Sequence, residues 1–366
     1  MKYHLIIYIV ALLTIISCKK ETTVQEEFEK ASEKETWHYI AVPGMVCRDN
    51  SNTGIGVRLR NHSNKVIIYL EGGGGCFNGV TCAVNPGTYG QLAFDSWKSI
   101  GLQFGIFDKN SNLNPFKDWN CIYVPYCTGD VHSGTNYSAD VNFLYSDQKM
   151  VGHDNISLAL EALKEYFGTR LDEVFLTGSS AGGYGTLINA DQVIEAFPAA
   201  KTTILDDSGP VLMAQNVQPD CLDDLWQNLF LTHIPSDFSS YTTGKYSTPM
   251  KSIYEYLGTK HPTVQFGLIS SLEDIVIREF YGYGTNNCAK TTVVPAPLPA
   301  IDYKNALLHL RDSVLSPYNN WKTFYVSDAS HTFNLLPGAM SKEVNGVKYG
   351  EWINDLRNGT ARHIHD

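Results

Sequence analysis

The segment VFLTGSSAGGYG, Val174 to Gly185, places two adjacent serines in a turn of small residues directly after an apolar run. Gly178-Ser179-Ser180-Ala181-Gly182 satisfies GxSxG with Ser180 at the centre, and the residues on either side supply the strand-turn-helix setting that the motif needs. Small neighbours permit the strained turn that exposes a hydroxyl, and the Ala181 amide at the start of a helix is placed to bind an oxyanion. Ser179 is then a neighbour whose hydroxyl bonds locally. A serine hydroxyl is a weak nucleophile near neutral pH, so it needs a base held by an orienting acid. The chemistry implied is attack on a carbonyl carbon.

Acid and then base are expected after the serine in chain order. Of the eleven histidines, His309 falls inside a helical pattern and His261 precedes a strand, whereas His331, in SDASHTF, follows the last strand candidate. A loop there can carry an imidazole back over the serine turn. Asp274, in SSLEDIV, lies just past another strand candidate, at the end where parallel sheets collect their sites. Asp207, in LDDSGP, is the rival acid and reads instead as a turn residue or helix cap. The run Gly72 to Gly75, in YLEGGGGCFN, lets backbone amides turn toward a ligand with no Cβ in the way. A phosphate cradle is the competing reading, but GxxxxGK[ST] is absent.

These residues need a sheet to hold them. From Trp37 onward, β-like apolar runs alternate with helix-like periodic runs, which predicts an α/β fold with a largely parallel sheet. The strand candidates are 65–70, 120–126, 173–177, 202–206, 264–270 and 322–326. Helix candidates cover 155–167, 182–197 and 303–315, and the polar, aromatic stretch 212–262 fits an excursion over the sheet. The expected architecture is a three-layer, α/β-hydrolase-like sandwich forming one catalytic domain over 37–366.

The N-terminus carries different information. MKYHLIIYIVALLTIIS, residues 1–17, is an apolar stretch behind a single Lys2, short for a bilayer span, and reads as an export signal. Ile15-Ile16-Ser17-Cys18 resembles the bacterial lipobox, so Cys18 is expected to be lipidated and to anchor the chain to a membrane. Residues 19–36 carry ten charges in eighteen positions and predict a flexible tether. The expected location is an exported lipoprotein of the outer membrane or periplasm.

Export would place Cys47, Cys76, Cys82, Cys121, Cys127, Cys221 and Cys288 where disulfides form. Seven is odd, leaving one thiol free, and Cys76 and Cys82 are close enough to staple a short loop. Without a CxxC pair or clustered histidines, no metal site is expected. The formal net charge of −10 argues against a nucleic-acid partner, and loss of Lys2 with the signal makes the chain more acidic still.

Seven motifs in order, VCRDNSNTGIGVRL, YLEGGGGCFNGVTC, NPFKDWNCIYVPYCTGDVHSG, GSSAGGYG, DDSGP, SSLED and SHTF, resemble the pectinacetylesterase family, which also includes the animal Notum carboxylesterases. The resemblance covers roughly residues 40 to 335. It implies Ser180 as nucleophile, His331 as base, Asp274 as acid and the backbone of Gly73, Gly74 and Ala181 as oxyanion hole, with no cofactor. One departure is local: where plant members read GGGWC, this chain has Gly75 before Cys76, which removes a bulky aromatic from beside the pocket.

The resulting expectation is a serine carboxylesterase that removes O-acetyl groups from a polysaccharide such as pectin through an acyl-enzyme. The acidity of the chain weighs against a polyanionic substrate and keeps a neutral acetylated glycan open. Two other readings stand beside it: a lipid or acyl-protein esterase, and a glycan-binding lipoprotein without turnover.

Overall fold

The computed structural model of the chain describes residues 22–214, 216–285 and 295–365. The export segment, Cys18 and Cys288 lie outside the described residues. Strands β1 (His38–Val46), β2 (Asn52–Arg58), β3 (Lys65–Leu70) and β4 (Asn120–Val124) open the main sheet. After a small hairpin, β5 (Asn136–Ala139) and β6 (Gln148–Met150), it continues through β7 (Glu173–Ser179), β8 (Lys201–Asp207), β9 (Gln265–Ser271) and β10 (Trp321–Val326). A second hairpin, β11 (Glu343–Val344) and β12 (Val347–Lys348), precedes the closing β13 (Ile364–His365). The spatial order is β1-β2-β4-β3-β7-β8-β9-β10-β13, antiparallel from β1 to β4 and parallel from β4 to β13. The α/β sandwich expected from the alternating pattern is therefore present, with an antiparallel pair added at one edge.

Helices are α1 (Val24–Lys34), α2 (Gly79–Val84), α3 (Gln91–Lys98), α4 (Gly152–Phe167), α5 (Ala181–Ala196), α6 (Asp220–Leu229), α7 (Ile253–Lys260), α8 (Ile275–Thr285), α9 (Ala300–His309) and α10 (Tyr349–Asn358). Side-chain alternation sets which layer each strand residue serves. Val66, Ile68 and Leu70 of β3 and Val174 and Leu176 of β7 enter the core beneath α4 and α5, while Ile67, Tyr69 and Phe175 enter the core shared with α10. Burial on both faces explains why these strands read as continuous apolar runs.

The tether expected over residues 18–36 is corrected over α1. Thr23 and Glu26 form a reciprocal capping box, and Phe28 and Ala31 are fully buried. Phe28 stacks on Tyr166 of α4 with ring centroids 4.8 Å apart. Only Val24, Phe28 and Ala31 carry the apolar stripe, so the surrounding charges obscured it. Edge strands β1 and β2 were also absent from the expectation, because Pro43, Gly44, Gly54 and Gly56 interrupt their β-forming residues.

Disulfides join Cys76 to Cys82, as the spacing suggested, and Cys47 to Cys127 across 80 residues. Cys221 is also disulfide-bonded, and Cys121 is free and buried, with Arg58 Nη2 3.2 Å from its sulfur.

Candidate active site

Ser180 sits between the end of β7 and the start of α5 with φ 59° and ψ −117°, a conformation that non-glycine residues rarely adopt. Close backbone packing enforces it. A Cβ at Gly178 would lie 2.3 Å from the Gly182 oxygen, and one at Gly182 would lie 2.0 Å from the Leu70 oxygen. Both outer positions of the motif therefore exclude any side chain, and the turn is sharp enough to lift the Ser180 hydroxyl into a cavity. Two backbone bonds pin the turn: Ser180 N donates to the Asp207 oxygen at 2.8 Å, and Tyr184 N to the Ser180 oxygen at 3.1 Å.

Asp274 follows β9 and is fully buried. Its carboxylate caps α8, accepting from the amides of Val276 and Ile277 at 3.0 Å each, and meets His331 Nδ1 at 2.8 and 3.0 Å. With Nδ1 donating to Asp274, Nε2 is the nitrogen left to accept a proton. His331 and Ser180 line one cavity of about 400 Å³ together with Glu71, Gly72, Gly73 and Gly74. No hydrogen bond joins the Ser180 hydroxyl to the imidazole among the described residues; such contacts in free enzymes commonly tighten only when substrate binds.

Gly73 and Gly74 have φ of +152° and +76°, and their carbonyls are tied back by Asn85 Nδ2 and the Tyr126 hydroxyl, each at 2.8 Å. Among the described residues no protein acceptor takes the amides of Gly73, Gly74 or Ala181. Unpaired backbone amides beside a serine hydroxyl are what an oxyanion requires. All six residues expected at the site thus gather at the carboxyl ends of β3, β7, β9 and β10.

Four features went unforeseen. Trp97 at the end of α3, Val276 and Leu335 give the cavity an apolar wall. Gly75 faces away from the cavity, its Cβ direction filled by Phe280 and Phe77, so Trp97 supplies the aromatic side of the pocket instead. Glu71 contributes a carboxyl, which burial holds up at about 7 against hydrogen bonds from Tyr123 and the Tyr126 amide. Finally, Asp207 is neither a turn residue nor a helix cap. Its carboxylate is fully buried and reaches across to Ser179 and to the loop carrying His331.

Residues 29–275 match the model of the pectinacetylesterase family. The chain belongs to the pectinacetylesterase family. The matched span includes Ser180 and Asp274 and ends before His331. Among relatives, the palmitoleoyl-protein carboxylesterase NOTUM of Homo sapiens is 30% identical over 200 residues, covering 51% of this chain and 39% of that protein. The corresponding protein of Schmidtea mediterranea is 34% identical over 151 residues, 40% of this chain and 28% of its own. Palmitoleoyl-protein carboxylesterase notum2 of Xenopus laevis is 29% identical over 220 residues, 57% of this chain and 44% of its own. The chain spans less than half the length of these relatives. The solved structure of the Wnt deacylase Notum from Drosophila superposes with a TM-score of 0.67 at 18% identity, covering 90% of this chain and 96% of that one. At that identity the pectinacetylesterase family member and Notum share a fold, and the likeness carries no more than that.

Proposed function

We propose that the protein is a serine carboxylesterase acting through an acyl-enzyme. The observation that carries the reading is the convergence, in one cavity, of a serine on a strained turn, a histidine whose Nδ1 is held by a buried aspartate, and unpaired backbone amides. Ser180 Oγ attacks the ester carbonyl as its proton passes to His331 Nε2, and Asp274 stabilises the imidazolium. The amides of Gly73, Gly74 and Ala181 hold the oxyanion. His331 returns the proton to the departing alkoxide, then takes one from the water that attacks the acyl-serine and gives it to Ser180 Oγ as the acyl–oxygen bond breaks and the acid leaves. Every step balances with water as the sole co-reactant.

The substrate class is an O-acetyl ester on a polysaccharide, in keeping with the family, and the acidity of the chain favours a neutral glycan over a galacturonan. The apolar wall of Trp97, Val276 and Leu335 supports a second reading, a longer acyl group. Acetate and octanoate esters of 4-nitrophenol separate the two. Deacetylation requires the higher kcat/KM on acetate, and faster turnover of octanoate rejects it. The Cys47–Cys127 and Cys76–Cys82 disulfides support the export reading, in which lipidated Cys18 tethers the domain to a membrane beside its glycan.

A further inference from the structure

Asp207 ends β8, one strand away from the serine turn, and its register partner is Ser179. Its backbone oxygen accepts from Ser180 N at 2.8 Å. Its carboxylate accepts from Ser179 Oγ at 2.7 Å, Ser208 Oγ at 3.1 Å, Phe333 N at 2.9 and 3.0 Å and Asn334 N at 2.8 Å. Each of these partners is a donor, none is a cation, and the group is fully buried. One residue therefore grips the nucleophile's turn on one side and the chain two and three positions past His331 on the other.

The gripped loop needs holding. Thr332, between His331 and Phe333, has φ +47°, a conformation that a β-branched residue keeps only when its surroundings impose it. Asn334 adds a further anchor through Thr177 Oγ1 and the Tyr349 hydroxyl, both at 2.9 Å, but it stands beyond the strained residue and beyond Phe333. Asp207 is the anchor nearest the imidazole on its C-terminal side, as Asp274 is on the ring itself.

We propose that Asp207 is a positioning residue that fixes His331 relative to Ser180, distinct from Asp274, which orients the ring. This inference rests on the esterase reading above. Asparagine at 207 keeps the shape but turns one acceptor into a donor that faces donors, so the loop is released while the fold retains its bulk. A displacement of about 1 Å at a reacting group lowers turnover on the order of 100-fold.

The test is a cycle on 4-nitrophenyl acetate with the parent protein, Asp207→Asn, His331→Ala and the double variant. The expected results are a kcat about 100-fold lower for Asp207→Asn with KM near the parent's, and no further loss when Asp207→Asn is added to His331→Ala, because the two act through one group. A parental kcat in Asp207→Asn, or an additional loss in the double variant, overturns the inference while leaving the esterase reading intact. A fully active His331→Ala overturns the esterase reading instead. Where Asp207→Asn does not fold, Ser179→Ala removes one arm of the same grip; it is expected to lower kcat with KM retained, and a parental kcat overturns the inference.

Discussion

At the amino end of β7, Glu173 receives Arg357 through two bonds, at 2.8 and 2.9 Å, with Lys65 a third partner at 3.1 Å. The guanidinium lies 4.6 Å from the Trp119 ring, and burial that would raise the Glu173 pKa is outweighed by the two cations, which hold it below the usual range. At the carboxyl ends of β3 and β8, the partly buried Glu71 and the fully buried Asp206 and Asp207 have no cation beside them among the described residues, and desolvation pushes all three upward. Three adjacent strands, β3, β7 and β8, thus settle their carboxylates by charge pairing at one end and by neutral donors at the other. The paired end is built for cohesion. The donor-held end keeps local conformations that cohesion alone would not select, including positive φ at Ser180, Ser208 and Thr332.

That contrast can be broken from its paired end. Arg357→Met leaves Glu173 buried with only the half-exposed Lys65, and is expected to lower stability by about 3 kcal/mol in urea unfolding, with kcat on 4-nitrophenyl acetate retained. A fall in kcat at unchanged stability would show that the two ends are not separable in this way.

A smaller effect sharpens the other end. Glu71 has its folded pKa near 7 against an ordinary 4.5, so between those values the folded state binds more protons than the unfolded one. Its contribution is fully present below 4.5 and is lost as pH rises through 7. Glu71→Gln removes that loss, so variant stability minus parent stability should grow from pH 4.5 to 7, by about 1.4 kcal/mol per unit at most, and be level above. Glu173, with its pKa depressed, has the opposite slope: its contribution is present above 4.5 and lost as pH falls through the folded pKa. A difference for Glu71→Gln that stays flat with pH contradicts the assignment.

The serine turn was legible because its demands fall on residue types: only glycine fits at 178 and 182, and a serine occupies the strained position between them. His331 and Asp274 were legible from position, each just past a strand at the carboxyl edge. Asp207 was not, because its partners are backbone amides 126 and 127 residues further on, and an amide has no residue signature. Trp97 and Leu335 were invisible for a related reason, since a single apolar side chain facing a cavity looks like any core residue. Helix α1 was hidden by composition, three apolar positions among six charges.

The proposed mechanism requires Ser180, and not its neighbour Ser179, as the nucleophile. Both serines line the cavity shared with His331, but Ser179 spends its hydroxyl on Asp207 at 2.7 Å, whereas no hydrogen bond engages the Ser180 hydroxyl among the described residues. Labelling with a fluorophosphonate, followed by peptide mass mapping of the parent and of Ser180→Ala, tests this directly. The expected result is a single adduct on Ser180 and none in the variant. An adduct on Ser179, or equal labelling of both proteins, would contradict it.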